Sequence, residues 1–153
     1  MIDKDQLRDL IIIPTLHYLE PEIPFSQSAV ELLKMTAAHE SRLGTYIAQV
    51  NGPALGIYQM EPATEEDIQV NYLRHRDYLD EKILQTGQYL TSDLRYATAM
   101  ARVHYYRDPE PLPEVGDVSG LANYAKRVWN TEAGKATEDD YFQAYKKLCL
   151  WNH

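Results

Sequence analysis

Two short stretches carry the residue types that can do chemistry. In "AAHESRLG", residues 37–44, a run of small apolar residues reads as the end of a helix and brings Glu40 and Ser41 up to Gly44. Further on comes "ALGIYQMEPAT", residues 54–64, with Gly56, Ile57, Tyr58, Gln59 and Met60 in succession. A carboxylate that loses water has a raised pKa and keeps its proton near neutrality, which a general acid needs. A glutamine offers donors and an acceptor together, a set that suits sugar amides and hydroxyls. Gly56 and the Gly52-Pro53 pair let backbone pass close to a ligand or to another helix. Helical spacing puts Glu40 on a stripe that points at the core. At about 100° per residue Val30, Leu33, Ala37 and Glu40 fall within an arc of roughly 80°. Leu32 and Met35 fall opposite, so this helix packs on more than one side. The competing reading puts Glu40 past the end of the stripe, paired with His39 or Arg42. For the loop it is a well-packed turn with a satisfied Gln59.

The elements that must position these residues read as almost all helix. Leu7, Leu10 and Ile11 mark one face of a first helix over about 3–13, limited by Pro14, with a short helical "TLHYL" after it. Residues 20–24 are a connection. Ser28 with Glu31 forms a capping box for the Glu40 helix, and Gly44 supplies its left-handed cap. Residues 45–63 lack helical period and form a loop, with room for a small hairpin. Thr64 with Asp67 caps a helix carrying Ile68, Tyr72, Leu79 and Ile83 up to Gly87. Ser92 or Asp93 opens the next, with Leu94, Ala97 and Ala101 on one face. "RDPEPLPEVGD", 107–117, is a surface connection. Leu121, Ala125 and Val128 continue the helical period, and Thr137 with Asp140 caps a last helix carrying Tyr141, Phe142, Tyr145 and Leu148.

The whole chain, 1–153, fits a single domain, long enough to bury a core without metal or disulfide. The lone Cys149, within "KKLCLW", reads as a small packed side chain and not as a nucleophile. A net charge of -8 disfavours nucleic acid as partner, because phosphate binding needs a basic face. "RHR" at 74–76 reads as a solvated helix face. No stretch is long enough to cross a membrane. The opening "MIDKDQLRDLIII" lacks the basic start and long apolar run of a secretory signal, so synthesis in the cytoplasm is expected. No pair of histidines has metal-ligand spacing on one helix, and His39 reads as structural. No metal or cofactor is expected.

"HES" followed by "GPALGIYQMEPAT" resembles the signature of the lytic transglycosylase family with the lysozyme-like fold. The matching parts are Glu40-Ser41, the Gly56–Gln59 segment, and Pro62-Ala63-Thr64. "LANYAKRVWNT" is similar to the family's later Ala-rich helix at Tyr124, although Asn123 precedes the tyrosine. The overall layout, including "WNTEAGKAT", resembles small lysozyme-like proteins of bacteriophages and prophages. Three departures stand out. The span from Glu40 to Gln59 is about one residue longer than usual, a common serine has Gln49 as its nearest counterpart, and position 61 is Glu where the family has an uncharged residue.

The resemblance implies a mainly α, lysozyme-like domain that cleaves the MurNAc-GlcNAc bond of peptidoglycan glycan strands. Glu40 would protonate the leaving glycosidic oxygen, then act as base on the muramyl 6-hydroxyl as it closes a 1,6-anhydro ring, so no second carboxylate is needed. Gln59 and the backbone of Gly56, Ile57 and Tyr58 would bind the sugars, and Met60 would line the cleft. Ser41 would fix Glu40 or the acetamido group, and Tyr124 would face Glu40; the plainer reading of Tyr124 is a core aromatic. Tyr46, Tyr105 and Tyr106 are candidates for stacking on sugar rings. Two alternatives accompany this reading. Glu61 could assist a water-using muramidase, or the chain could be a non-catalytic virion component that binds glycan. The implied setting is the cell wall, reached after release or as part of a virion, with other virion or lysis proteins as partners.

Overall fold

The computed structural model describes residues 1–151 and is helical, with no strand among them. The central helix is α3, Gln27–Ser41. Its buried residues run Leu32, Leu33, Lys34, Met35, Thr36, Ala37 and Ala38 without a break, so this helix is enclosed on all sides, as its two-sided apolar pattern predicts. The N-cap is Ser26, whose Oγ accepts from the Ala29 amide at 3.2 Å, and not Ser28. Glu31, expected in a capping box, instead accepts from the Tyr145 hydroxyl at 3.1 Å and the Gly116 amide at 2.8 Å. Starting two residues earlier lets Ala29 and Val30 join the core.

The chain begins with a short α1, Lys4–Gln6, a π-helical stretch Leu7–Ile12, and α2, Ile13–Tyr18. Pro14 does not end the helix. It lacks an N–H and cannot bond back in α register, and it stands at the first turn of α2, where that loss costs little. The wider π turn also changes the buried face. Leu7 and Ile12 are buried five residues apart, while Leu10, expected inside, is 65% exposed.

After the loop, α4 (Pro62–Asn71) starts at proline with Glu61 as N-cap, so the expected Thr64–Asp67 capping box does not form. Asp67 pairs with Arg107 at 2.7 Å and Asn71 at 2.7 Å. The single helix expected to reach Gly87 is two: a 3-10 turn, Leu73–His75, separates α4 from α5, Asp77–Leu84. Ile68, Leu79 and Ile83 still face the core. Asp93 caps α6, Leu94–Tyr106, by accepting from the Tyr96 amide at 3.0 Å. The connection 107–117 is irregular, as its prolines dictate. Helix α7, Val118–Ala125, widens into a π stretch Lys126–Asn130. Helix α8, Glu138–Tyr145, opens with the expected Thr137–Asp140 capping box and ends in Lys146–Leu150, where Cys149 is buried. Helices α6, α7 and α8 all pack against α3, which places Glu40 at the end of a helix enclosed by three others.

Among the described residues no helix is long and apolar enough to cross a membrane.

Candidate active site

Helix α3 stops at Ser41 through a left-handed turn in which Arg42, Leu43 and Gly44 all have positive φ. The Leu43 amide closes back on the Ala37 carbonyl at 3.0 Å. The reversal begins at Arg42, two residues before the expected glycine, and turns that side chain out to solvent. Arg42 is therefore no partner for Glu40. Ser41 is fully buried. Its Oγ lies 2.5 Å from the Ile57 carbonyl, to which it donates, and accepts from the Gly44 amide at 2.9 Å. Ser41 thus ties the helix end to the 54–60 segment and does not face a ligand.

That segment is a compact turn. Leu55 and Met60 exchange two backbone hydrogen bonds of 2.9 and 3.0 Å, and the Gly56 amide bonds the Ile47 carbonyl at 2.8 Å. Gly56 has φ +81, and a Cβ there would lie 2.2 Å from the Leu90 carbonyl oxygen. The close approach that glycine permits is to the backbone before α6, not to a ligand. Ile57 and Tyr58 are core residues, each 1% exposed, and Tyr58 shares a 2.9 Å hydrogen bond with Thr98. Gln59 and Met60 alone of the predicted 56–60 set line a cleft with Glu40. Gln59 adopts φ 52, and its Nε2 donates to the Gly56 carbonyl at 2.9 Å.

The cleft has a volume of about 410 Å³. Glu40 and Gln59 lie on one part of its wall, with Glu61 and Thr64 at the start of α4. The rest of the wall comes from distant sequence: His104 on α6, and Trp129, Asn130 and Thr131 after α7. Lys126 organises that last stretch by donating to Asn130 Oδ1 at 2.6 Å and to the Thr131 carbonyl at 2.7 Å. Thr131 has φ 67, a strained backbone for a β-branched residue. His104 packs edge-on to Trp129 with ring centroids 5.1 Å apart. Burial lowers its pKa to about 4, helped by Arg107, so it stays neutral near pH 7.

Glu40 has a side-chain exposure of 18%. Burial raises its pKa from 4.5 to about 7, and the hydroxyl of Tyr141, donating to Oε2 at 2.8 Å, opposes the rise in part. Tyr141 comes from α8 and is fully buried. His39 Nε2 lies 3.9 Å from Glu40 Oε2, but burial lowers the pKa of His39, and its ring packs on Tyr141 at 4.0 Å. The salt-bridge reading of Glu40 therefore has no charged partner here. The arrangement is a protonatable carboxyl at the edge of an open cleft, near neutrality, held by one neutral donor. Such a group can give and recover a proton in one cycle.

Tyr124, expected to face Glu40, lies elsewhere. Its hydroxyl donates to the Glu110 carbonyl at 3.1 Å and is 3.3 Å from Asp108 Oδ2, and Arg127 covers its ring at 5.0 Å. The acceptors of the 107–117 connection hold it away from the cleft. Of the candidate stacking tyrosines Tyr105 is buried, while Tyr46 and Tyr106 are exposed. Gln49 does reach the cleft. Tyr141, Trp129 and His104 were missed as site residues. Tyr141 was legible only as an apolar helix position, and "VWNT" only as a trailing part of the weaker match. Among the described residues no group of three or more His, Cys, Asp or Glu is placed to hold a metal ion.

No protein-family model, no curated protein and no solved structure matches this chain.

Proposed function

We propose that the chain cleaves peptidoglycan glycan strands as a lytic transglycosylase, with Glu40 as acid and then base. The observation that carries the reading is the environment of Glu40: a largely desolvated carboxyl with a pKa of about 7 on a cleft it shares with Gln59. Protonated, Glu40 gives its proton to the departing glycosidic oxygen. Ionised, it takes the proton of the muramyl 6-hydroxyl as the anhydro ring closes. A pKa near the working pH serves both halves, and positioned proton transfer of this kind contributes roughly 10²–10⁴ in rate. Gln59 Oε1 and Asn130 Nδ2, the amide ends not bound to Gly56 and Lys126, serve the acetamido and hydroxyl groups, Trp129 offers apolar surface, and Tyr141 sets the carboxyl's orientation. The site of action is the cell wall, with delivery by a virion or by release at lysis.

Glu61 supports a second reading. It stands exposed at the N-cap of α4 and lines the same cleft, so a second carboxylate is available to activate water in a muramidase.

Digestion of purified sacculi by the wild type and by Glu40→Gln tests both. Muropeptides lighter by one water and lacking a reducing end, absent with Glu40→Gln, are the expected products. Ordinary reducing ends replace transglycosylase with muramidase. Absence of cleavage where a control lytic enzyme succeeds overturns the catalytic reading and leaves a glycan-binding component.

A further inference from the structure

On α6, away from the Glu40 cleft, sits a charge without a counter-charge. Arg102 is 5% exposed, and its Nε has no hydrogen-bond partner. Among the described residues it forms no ion pair and no other side-chain hydrogen bond. Its guanidinium carbon lies 5.2 Å from the centre of the Tyr106 ring. A guanidinium stays protonated in proteins, and an unpaired buried charge is unfavourable unless something repays it. Packing alone would be served as well by methionine.

Arg102 opens on a cavity of about 520 Å³. Tyr105 and Tyr106 form one wall, and Pro109, Pro111 and Leu112 of the connection form another. Ser26, the N-cap of the long α3, brings the positive end of that helix to the cavity. Two acids also line it, but both are already engaged. Arg127 holds Asp108 through two bonds of 3.0 Å and Glu110 at 3.2 Å. Arg102 is the cation left over.

We propose that Arg102 anchors a binding site for a small organic monocarboxylate with an apolar body. The guanidinium fork matches a carboxylate in two parallel hydrogen bonds, which its two terminal nitrogens, free of any protein partner, can supply. Tyrosine, proline and leucine walls suit the rest of the ligand. Arg102 is the one cation lining the cavity that no acid has taken, a single charge that matches a monocarboxylate rather than a dianion such as phosphate. The assignment is separate from the glycan-cleaving reading, and its test reads binding rather than cleavage.

The test uses the full chain labelled with ¹⁵N, following the Arg102 Nε–H resonance, which is assigned by its loss in Arg102→Lys. The probes are N-acetyl-alanyl-alanine as free acid, the same dipeptide as C-terminal amide, and inorganic phosphate. Saturable movement of the resonance with the acid, and none with amide or phosphate, is the expected result. In Arg102→Met the acid no longer binds, and the variant melts no lower than the wild type because an apolar side chain replaces an unpaired buried charge. Absence of saturable movement with the acid overturns the proposal. So does equal movement with the amide, or unchanged acid binding by a folded Arg102→Met. Should that variant fold poorly, the contrast of acid with amide on the wild type still decides.

Discussion

Glu40→Gln is expected to stabilise the protein, and increasingly so as pH rises. In the folded chain the carboxyl titrates near 7, while in the unfolded chain it returns to its ordinary value of 4.5. Below 4.5 both states hold the proton and the mutation has no pH-dependent effect. Between 4.5 and 7 the folded state holds more protons than the unfolded one, so wild-type stability falls as pH rises. Above 7 the whole gap is lost, on the order of 3 kcal/mol. Glutamine carries no such charge and keeps an oxygen to accept from Tyr141. The difference in unfolding free energy between variant and wild type should therefore grow by about 3 kcal/mol from pH 4 to pH 8, which for a chain of this length is on the order of 10 °C in melting temperature. Urea denaturation of both proteins across that range measures it, and subtracting the two curves removes every other titrating group they share. A flat difference across the range would refute the argument, because it would mean that Glu40 titrates like an exposed carboxyl.

Three further outcomes follow from the geometry. Tyr141→Phe removes the one hydrogen bond that lowers the pKa of Glu40; the alkaline limb of the cleavage profile should move to higher pH, as sacculus digestion at stepped pH would reveal. Ser41→Ala strips the Ile57 carbonyl and the Gly44 amide of a partner and should cost about 1–3 kcal/mol in denaturant unfolding; a cost near zero would mean the loop is not tied to the helix. Tyr124→Phe should cleave sacculi at close to the wild-type rate, since the Tyr124 hydroxyl is bound to the 107–117 connection; a loss of a hundredfold would restore Tyr124 to the site.

Local pattern was enough to establish the helical class, a helix packed from several sides with Glu40 on its core-pointing stripe, the Thr137 cap, Asp93 as one of two candidate caps, and the loop that carries Gln59. Each of these depends on residues within a few positions of one another, where period, capping chemistry and glycine or proline content act directly. The errors cluster where a choice is set by distant contacts. Leu10 is the local exception, leaving the core where the helix widens just before Pro14, whereas Glu31 bonds Tyr145 and Gly116 from far along the chain and forms no capping box with Ser28. Gly56 met the Leu90 backbone instead of a ligand.

The identity of the group that touches Glu40 shows the limit most clearly. Tyr124 and Tyr141 both lie on helices with an apolar face, and nothing in their local sequence separates them. Only the packing of α8 against the end of α3 brings the Tyr141 hydroxyl to 2.8 Å from the carboxyl, while Asp108 and Glu110 hold Tyr124 elsewhere. Helical period put Glu40 on a stripe that points at the core, because residues three and four apart share a face, but it left open a salt bridge of that carboxyl with His39 or Arg42. The tertiary structure decided what stands beside it, because a partner 101 residues away is chosen by the way helices pack.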